Sequence, residues 1–417
     1  MKVKYSTIVR IIIYFTAFLM LGYVYLFDPI LIAGYPRRII VATVSILLAL
    51  FCMSFRGNLH QGWKYSQVAR RYLICYIPCI LIALLIAGIQ YQYSVWNYLV
   101  AVAPFCYIFL TFPLLALFVI DNSLDKVLKR IALIEMVILI FKFIAWFSSN
   151  FTGTVFFPNI LKEYSGWTVS GMARVEGGAL FALVFIYFFV NFIQKKKIIF
   201  GLGSGILLLF MMFITQFRFQ LLSLLVTGYV VLYVDETKNK KIVFVKRMLL
   251  ILILILIGIY VLPEFVSSFN IGSMRGNSTK TRLIEIGYFA QLMKNRSAFL
   301  GLGIFDENNP VVSSLITYLG QTMYISDLGI IGAFFTFGIM IFPIYGYLFY
   351  VAIKTYRNSK NKIPDYDRSI LVGVIAYMIV SNMALNIFDA QRAYAVPFYL
   401  SIIAYESYKI RIFNNNV

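Results

Sequence analysis

Residues 198–234 contain two apolar runs, IIFGLGSGILLLFMMFI (198–214) and LLSLLVTGYVVLYV (221–234), which are separated only by TQFRFQ (215–220). The corresponding predicted helices, 198–216 and 219–234, approach the roughly 20 residues that a helix needs to cross the apolar core of a bilayer. Because lipid offers the backbone no hydrogen-bonding partner, such runs form helices. The stretch therefore predicts two membrane-spanning helices joined by a very short turn that carries Arg218.

The rest of the chain repeats this pattern almost from end to end. Hydrophobic residues make up 61% of the 417 residues, more than a soluble globular protein can hide from water. The sequence predicts a single all-α polytopic membrane domain over 1–417, with about twelve transmembrane helices. The predicted spans are 8–27, 38–55, 72–90, 98–120, 128–148, 178–194, 198–216, 219–234, 248–266, 328–350, 369–388 and 393–409.

The placement of the basic residues predicts the orientation of these helices. The net charge is +20, but the lysines and arginines lie mainly in every second loop, as the positive-inside rule describes, so nucleic acid is not an expected partner. Both termini and the basic loops are predicted to be cytoplasmic, which puts the Arg218 turn on the outer face. The basic loops contain Arg56, Lys64, Arg70 and Arg71; Lys126, Lys129 and Arg130; Lys195, Lys196 and Lys197; Lys238, Lys240, Lys241, Lys246 and Arg247; and Lys354, Arg357, Lys360, Lys362 and Arg368.

Two long loops, 149–177 and 267–327, fall on the predicted outer face, and loops of this length usually carry function. The second contains TRLIEIGYFAQLM (281–293), in which apolar residues recur at helical spacing. We expect this helix, which Arg282 and Glu285 begin beside the apolar stripe, to lie flat at the membrane surface, and Gly301 and Gly303 to end it in a turn. The stripe consists of Leu283, Ile286, Phe289 or Ala290, and Met293.

Cations are few on the predicted outer face, and four arginines there are candidates for binding a diphosphate: Arg174, Arg218, Arg275 and Arg282. Arginine offers planar pairs of donors that match phosphate, and it stays charged. Two alternatives remain open. Arg218 could extend to the interface from a helix end, and Arg174 could only form a salt bridge with Glu176.

Charges elsewhere are interpreted as structural. Arg37, Arg38 and Arg392 are expected to be ordinary boundary residues, and Asp389 is expected to pair with Arg392. Lys142 lies within a predicted span, where a charge is energetically costly.

A general base is harder to identify. The one histidine, His60, lies in a predicted cytoplasmic loop and cannot serve an outer site. The candidate catalytic carboxylates are Asp327, where the second long loop re-enters the membrane, and Glu176. Asp327 has an equally good alternative as the N-cap of the tenth span. Metal-binding spacings and nucleotide-binding motifs are lacking in the sequence, which therefore predicts neither a metal nor a cofactor.

Four segments together carry a resemblance to a known family. They are ARVEGGALFALVFIYFF (173–189), TQFRFQ (215–220), TRLIEIGYFAQLM followed by GLGIF (281–293 and 301–305), and YISDLGIIGAFF (324–335). In their order and topology, over about residues 170–340, the chain resembles the oligosaccharide repeat-unit polymerases of bacterial O-antigen and capsule (Wzy-type). These belong to the wider O-antigen polymerase and ligase superfamily.

The resemblance implies a glycosyltransferase in the bacterial inner membrane with its active site facing outward. It would move a growing chain from undecaprenyl diphosphate onto a new lipid-linked repeat unit, with inversion, and would work with membrane lipid, a flippase and a chain-length regulator. By family pattern, Arg218 and Arg282 hold the diphosphate and Arg174 and Arg275 support them. Ligases of the superfamily carry a histidine in the register of Tyr318, so the resemblance disfavours ligase activity.

Two competing functions are considered. A flippase for the same lipid-linked unit also has about twelve spans, but it needs polar groups along a central passage and usually shows two repeated halves. The predicted membrane interiors here are almost uncharged, which favours an enzyme of the outer face. A glycan polymerase of the cell-wall shape and division type fits the four segments less well.

Overall fold

The computed structural model describes residues 5–27, 34–54, 59–163, 168–169, 171–234, 276–296, 299–318 and 321–416, with short pieces between 244 and 259. The described strands form two small antiparallel hairpins. In the first, β1 (Thr168–Val169) pairs with β2 (Met172–Ala173). In the second, β3 (Thr317–Tyr318) pairs with β4 (Gln321–Thr322). The described helices are α1 (Tyr5–Met20), α2 (Tyr35–Ser54), α3 (His60–Tyr65), α4 (Gln67–Tyr91), α5 (Val95–Cys106), α6 (Thr111–Asp121), α7 (Leu124–Phe147), α8 (Pro158–Glu163), α9 (Phe181–Lys195), α10 (Ile198–Leu209), α11 (Arg218–Val234), α12 (Gly276–Arg296), α13 (Pro310–Ile316), α14 (Gly329–Phe337), α15 (Tyr347–Asn358), α16 (Asp365–Ser381) and α17 (Val396–Asn416).

The helices confirm an all-α polytopic membrane fold. Within the described residues, five helical segments are long and apolar enough to cross a membrane, and a sixth is obtained if one bent pair counts as a single span. A helix also occupies each other predicted span except 248–266, which lies largely outside the described residues, but several of these helices are shorter. The five long segments are Tyr35–Ser54, Gln67–Tyr91, Val95–Asp121, Leu124–Thr152 and Ile198–Thr215.

Ion pairs tie helix ends together at one end of the bundle, which we name the basic end and which contains the turns 59–66, 122–123, 196–197 and 359–364. Lys195 Nζ, at the end of α9, lies 2.8 Å from a carboxylate oxygen of Asp125 at the start of α7. The hydroxyl of Tyr366, at the start of α16, donates to the same carboxylate at 2.9 Å. Arg10 pairs with Asp121, and Lys409 with Asp367, in the same way.

One predicted span is broken. Instead of one straight helix over 328–350, the segments Ile325–Met340 and Phe342–Asn358 meet at an angle of 109°. A break exposes backbone carbonyl groups that lipid cannot satisfy. Here a neighbouring non-helical segment donates hydrogen bonds to them. The amide of Leu302 donates to the carbonyl of Phe335 at 2.7 Å, and the amide of Gly303 donates to that of Thr336 at 3.0 Å. We name residues 299–305 the inserted segment.

The inserted segment needs its two glycines. Gly301 and Gly303 both have a positive φ, of 81° and 83°. A Cβ atom at Gly301 would lie 2.5 Å from the carbonyl oxygen of Thr336, and one at Gly303 would lie 2.7 Å from the amide nitrogen of Ala87 in α4. Because α12 already ends at Arg296, these glycines do not act as its cap. They allow the inserted segment to contact two helices closely.

The amphipathic helix α12 packs on protein. Phe289 and Met293 are buried against Leu302, Met323 and other apolar side chains of the inserted segment and the broken helix. The prediction that this helix lies flat at the membrane surface stays a prediction, but protein covers part of its stripe, because the inserted segment and the broken helix offer it an apolar surface. Leu283, from the same predicted stripe, remains 64% exposed.

We predict that Gly303→Ala destabilises the fold by about 1–3 kcal/mol or more, because the new Cβ meets the backbone of α4 and the residue must keep a positive φ. The measurement is the midpoint of thermal unfolding of the detergent-solubilised protein. The control is Gly205→Ala in α10, where a Cβ would meet none of the described atoms within 4 Å. Equal midpoints for the two variants would contradict the close packing of the inserted segment.

Candidate functional site

A charged cleft of about 260 Å³ lies at the end of the bundle opposite the basic end. Its walls come from the start of α2, from α5, from the end of the inserted segment and the residues that follow it, and from the turns around residues 323–326 and 386–391. This volume is slightly below the roughly 300–1,000 Å³ of typical small-molecule sites. The cleft therefore suits part of a ligand, such as a diphosphate or a sugar ring. Its charged lining residues are Arg38, Asp306, Glu307 and Asp389.

Asp306 is held rigidly within this cleft. Asn97 Nδ2 donates to Asp306 Oδ2 at 2.7 Å, and Asn308 Nδ2 donates to Oδ1 at 2.7 Å. Asn97 belongs to the capping box that begins α5, in which the Ser94 side chain accepts from the Asn97 amide. The hydroxyl of Tyr93 accepts from the Asp306 amide at 2.7 Å and donates to the carbonyl of Ile304, also at 2.7 Å. The start of α5 and the hydroxyl of Tyr93 thus hold Asp306 in the wall of the cleft.

Asp389 and Arg392 form the predicted local pair. Arg392 Nη1 lies 3.3 Å from Asp389 Oδ2, and the amide of Gln391 donates to the same oxygen at 3.2 Å. Arg392 is more than the predicted boundary residue, however, because it also lies within electrostatic range of the Asp327 carboxylate. The pair therefore brings a cation to the cleft and satisfies one of its carboxylates.

Asp327 does not cap the tenth predicted span. It lies within the 3-10 turn Ile325–Leu328, the N-cap position of α14 is Leu328, and no side-chain cap is formed there. Its carboxylate lies within electrostatic range of Arg392 and Arg282. Of the predicted site residues, Arg282 and Asp327 are thus brought together.

Glu285 connects α12 to this region. Its side chain is buried, and Glu285 Oε1 accepts from the amide of Tyr324 at 3.1 Å. Burial raises the pKa of the Glu285 carboxyl group, and the nearby Asp327 raises it further, while the hydrogen bond from Tyr324 and the charge of Arg282 oppose the shift. Glu285 therefore fixes the helix that carries Arg282.

Arg218 is the first residue of α11, directly after a two-residue turn in which Gln216 has a φ of 54°. The predicted tight hairpin is therefore confirmed. Two residues on, Gln220 Nε2 donates to the hydroxyl of Tyr377 at 3.4 Å. That hydroxyl lies within electrostatic range of Arg392 and Glu176. Arg218 itself is not among the residues that line the cleft, and Gln220, two residues further along α11, makes the contact with Tyr377.

Arg174 and Glu176 lie in an irregular segment that enters the bundle before α9. Burial lowers the pKa of the half-buried Arg174 guanidinium, which nevertheless remains a strong base. The carbonyl oxygen of Glu176 accepts a hydrogen bond from Lys142 Nζ at 3.0 Å. Lys142, the charged residue within a predicted span, therefore anchors this segment to α7. The fourth candidate arginine, Arg275, and the side chain of Tyr318 lie outside the described residues.

Three residues that line the cleft are not singled out by the sequence: Arg38, Asp306 and Glu307. The sequence predicts Arg38 to be an ordinary boundary residue, although cations are few on the predicted outer face and it belongs to that small set. Asp306 and Glu307 directly follow the GLGIF stretch, and their position in the predicted outer loop was a usable signal.

The fold and the cleft together define a polytopic helical membrane protein with a charged site at one end of its bundle. A comparison of the chain with protein-family models finds no match, and a comparison with curated proteins finds no relative. Among the residues that the structure describes, no group of three histidine, cysteine, aspartate or glutamate side chains is arranged to hold a metal ion.

We predict that Tyr93→Phe lowers stability by about 1–3 kcal/mol, because it leaves the Asp306 amide and the Ile304 carbonyl without their partner. The midpoint of thermal unfolding in detergent measures the change. Tyr233→Phe is the control, since Tyr233 is 72% exposed. If both variants unfold at the wild-type temperature, the Tyr93 hydroxyl does not hold Asp306 in the wall of the cleft.

Proposed function

We propose that this protein is a repeat-unit polymerase of O-antigen or capsule biosynthesis, a glycosyltransferase that joins undecaprenyl-diphosphate-linked oligosaccharides. The observation that carries the proposal is the charged cleft at one end of an otherwise apolar bundle. Arg38 lines this cleft, Arg392 pairs with its lining residue Asp389, and Arg392 and Arg282 both lie within electrostatic range of Asp327. The donor would be the lipid-linked growing chain, and the acceptor would be a hydroxyl group of a new lipid-linked unit.

Arginines at this place suit a diphosphate on a lipid. Their planar donor pairs match phosphate oxygens, and a departing diphosphate develops charge that fixed cations stabilise. The lipid tail would remain beside the apolar outer surface of the bundle while the sugar chain extends into water. Arg218 and Arg282 are the proposed principal diphosphate ligands, and Arg174, Arg275, Arg38 and Arg392 are the proposed supporting ones.

The proposed orientation puts the cleft on the outer face of the bacterial inner membrane, with about twelve spans and both termini in the cytoplasm. The described lysines and arginines of the basic loops, among them Lys64, Lys195 and Lys362, lie at the opposite end of the bundle, as the positive-inside rule expects for a cytoplasmic face. A flippase would supply the lipid-linked units, and a separate protein would regulate chain length.

One observation favours the alternative, a flippase. Glu135 and Lys142 are both buried within α7, and charges inside a membrane span often belong to a transport pathway. Lys142, however, already donates to the Glu176 carbonyl at 3.0 Å, which gives it a structural use. The concentration of charge at one end supports the polymerase more strongly.

We predict that Arg218→Ala and Arg282→Ala each abolish chain lengthening while the protein stays in the membrane, because each removes a proposed diphosphate ligand. Cells that lack the gene are complemented with each variant, and surface polysaccharide is separated on a gel. The expected pattern is single repeat units on the final acceptor in place of a ladder. Arg218→Lys should restore little, since an ammonium group cannot donate in the bidentate manner.

The matched control is Arg357→Ala, which alters an exposed arginine near the basic end and should leave the ladder intact. Full-length ladders from Arg218→Ala and Arg282→Ala would show that these arginines do not serve the reaction. Deletion of the gene that removes even single units, with lipid-linked units trapped inside, would instead identify a flippase.

A further inference from the structure

Three carboxylates line the charged cleft, and they differ in what they contact. Asp306 accepts hydrogen bonds from Asn97 and Asn308, and Asp389 is paired with Arg392. Glu307 lines the same cleft and is exposed within it. In the part of the chain that the structure describes, its carboxylate takes part in neither a hydrogen bond nor an ion pair. Of the three side chains, it alone is available to a ligand.

The two carboxylates that the sequence predicts as catalytic, Asp327 and Glu176, are not among the residues that line the cleft. Asp327 follows the lining residues Ile325 and Ser326 in sequence and lies within electrostatic range of Arg392 and Arg282. Glu176 belongs to the segment that Lys142 anchors. Glu307 instead follows directly after Asp306, whose rigid attachment to α5 holds this part of the chain at the cleft wall.

The charges that face Glu307 suit a group that accepts a proton. The cleft walls shield part of its carboxyl group from water and thereby raise its pKa, although the side chain stays accessible. The like charges of Asp389, Asp306 and Asp327 raise the pKa further, and Arg38 opposes them. A general base works best when its pKa lies near the working pH, so these surroundings move Glu307 in the useful direction.

We propose that Glu307 is the catalytic base that removes the proton from the acceptor sugar hydroxyl; this inference rests on the proposed polymerase function. In the step, the bond between the donor's anomeric carbon and the diphosphate oxygen breaks. The acceptor oxygen bonds to that anomeric carbon, its proton moves to a Glu307 oxygen, and the lipid diphosphate leaves with the bonding electron pair. Arg38, in the same cleft, places a cation beside the reacting groups.

The test uses purified full-length protein in lipid vesicles, with lipid-linked units extracted from host cells that lack this gene. Glu307→Gln keeps the size of the side chain and removes its basicity. We expect kcat to fall by about 10²- to 10⁴-fold, with KM little changed, because the uncharged amide still fills the site. Glu307→Asp should retain part of the activity. The control is Asp365→Asn, an exposed carboxylate at the start of α16.

The pH dependence supplies a second readout. A base must be deprotonated, so wild-type kcat should decrease as the pH falls through the raised pKa of Glu307. Glu307→Gln should lose this acidic limb, and Glu307→Asp should keep it, which a merely structural role would not produce. Should the glutamine variant unfold, as judged from its thermal midpoint, the Glu307→Asp profile decides: an acidic limb identical to wild type in position and a full rate would overturn the inference.

The outcomes for the two proposals are distinct. If wild-type protein makes polymer and Glu307→Gln makes it at the same rate with the same pH profile, Glu307 is not the base and the polymerase function stands. If wild-type protein makes no polymer from these units but moves them across the vesicle membrane, the polymerase function fails and the assignment of Glu307 fails with it.

Discussion

The hydrogen bonds between the inserted segment and the broken helix are the constraint on which the site depends. Lipid cannot satisfy the carbonyls that the break exposes, so the amides of Leu302 and Gly303 must do so. This requirement positions the chain that follows, because Asp306 and Glu307 are only a few residues away. Tyr91 strengthens the arrangement, since its hydroxyl donates to the Leu302 carbonyl at 2.9 Å. The need to satisfy these carbonyl groups thereby determines the position of Asp306 and Glu307 in the wall of the cleft.

The cleft contains both acidic and basic side chains, and their pairing decides which of them face a ligand. Asp389 is paired with Arg392 and Asp306 is held by amides, so two acidic groups have their partners within the protein. Glu307 and Arg38 remain facing the cleft. A cation that matches phosphate and a carboxylate that suits a proton thus lie in the same cleft. That combination is what transfer of a sugar from a lipid diphosphate to a hydroxyl requires, and it is the physical basis of both proposals.

Local features of the site were predictable to the extent that they depend on neighbours in sequence. The tight turn before Arg218 follows from two apolar runs with almost nothing between them, and the pair of Asp389 with Arg392 follows from their spacing of three residues. The surface that covers the α12 stripe, by contrast, could not be predicted. Periodicity shows that a helix has an apolar face, but it does not show whether lipid or protein covers that face, and here the broken helix covers Phe289 and Met293.

The sequence by itself determined the all-α membrane class, the positions of most helices and the separation of basic loops from the rest, because each depends on hydropathy and charge along a short window. Tertiary structure alone decided the break at 109°, the insertion of residues 299–305 and the meeting of Arg38, Glu307 and Asp389. These three residues come from distant parts of the chain. Their proximity depends on hydrogen bonds between backbone amides of the inserted segment and backbone carbonyls of the broken helix, which form away from water. No pattern of neighbouring residues indicates which amides and carbonyls will pair.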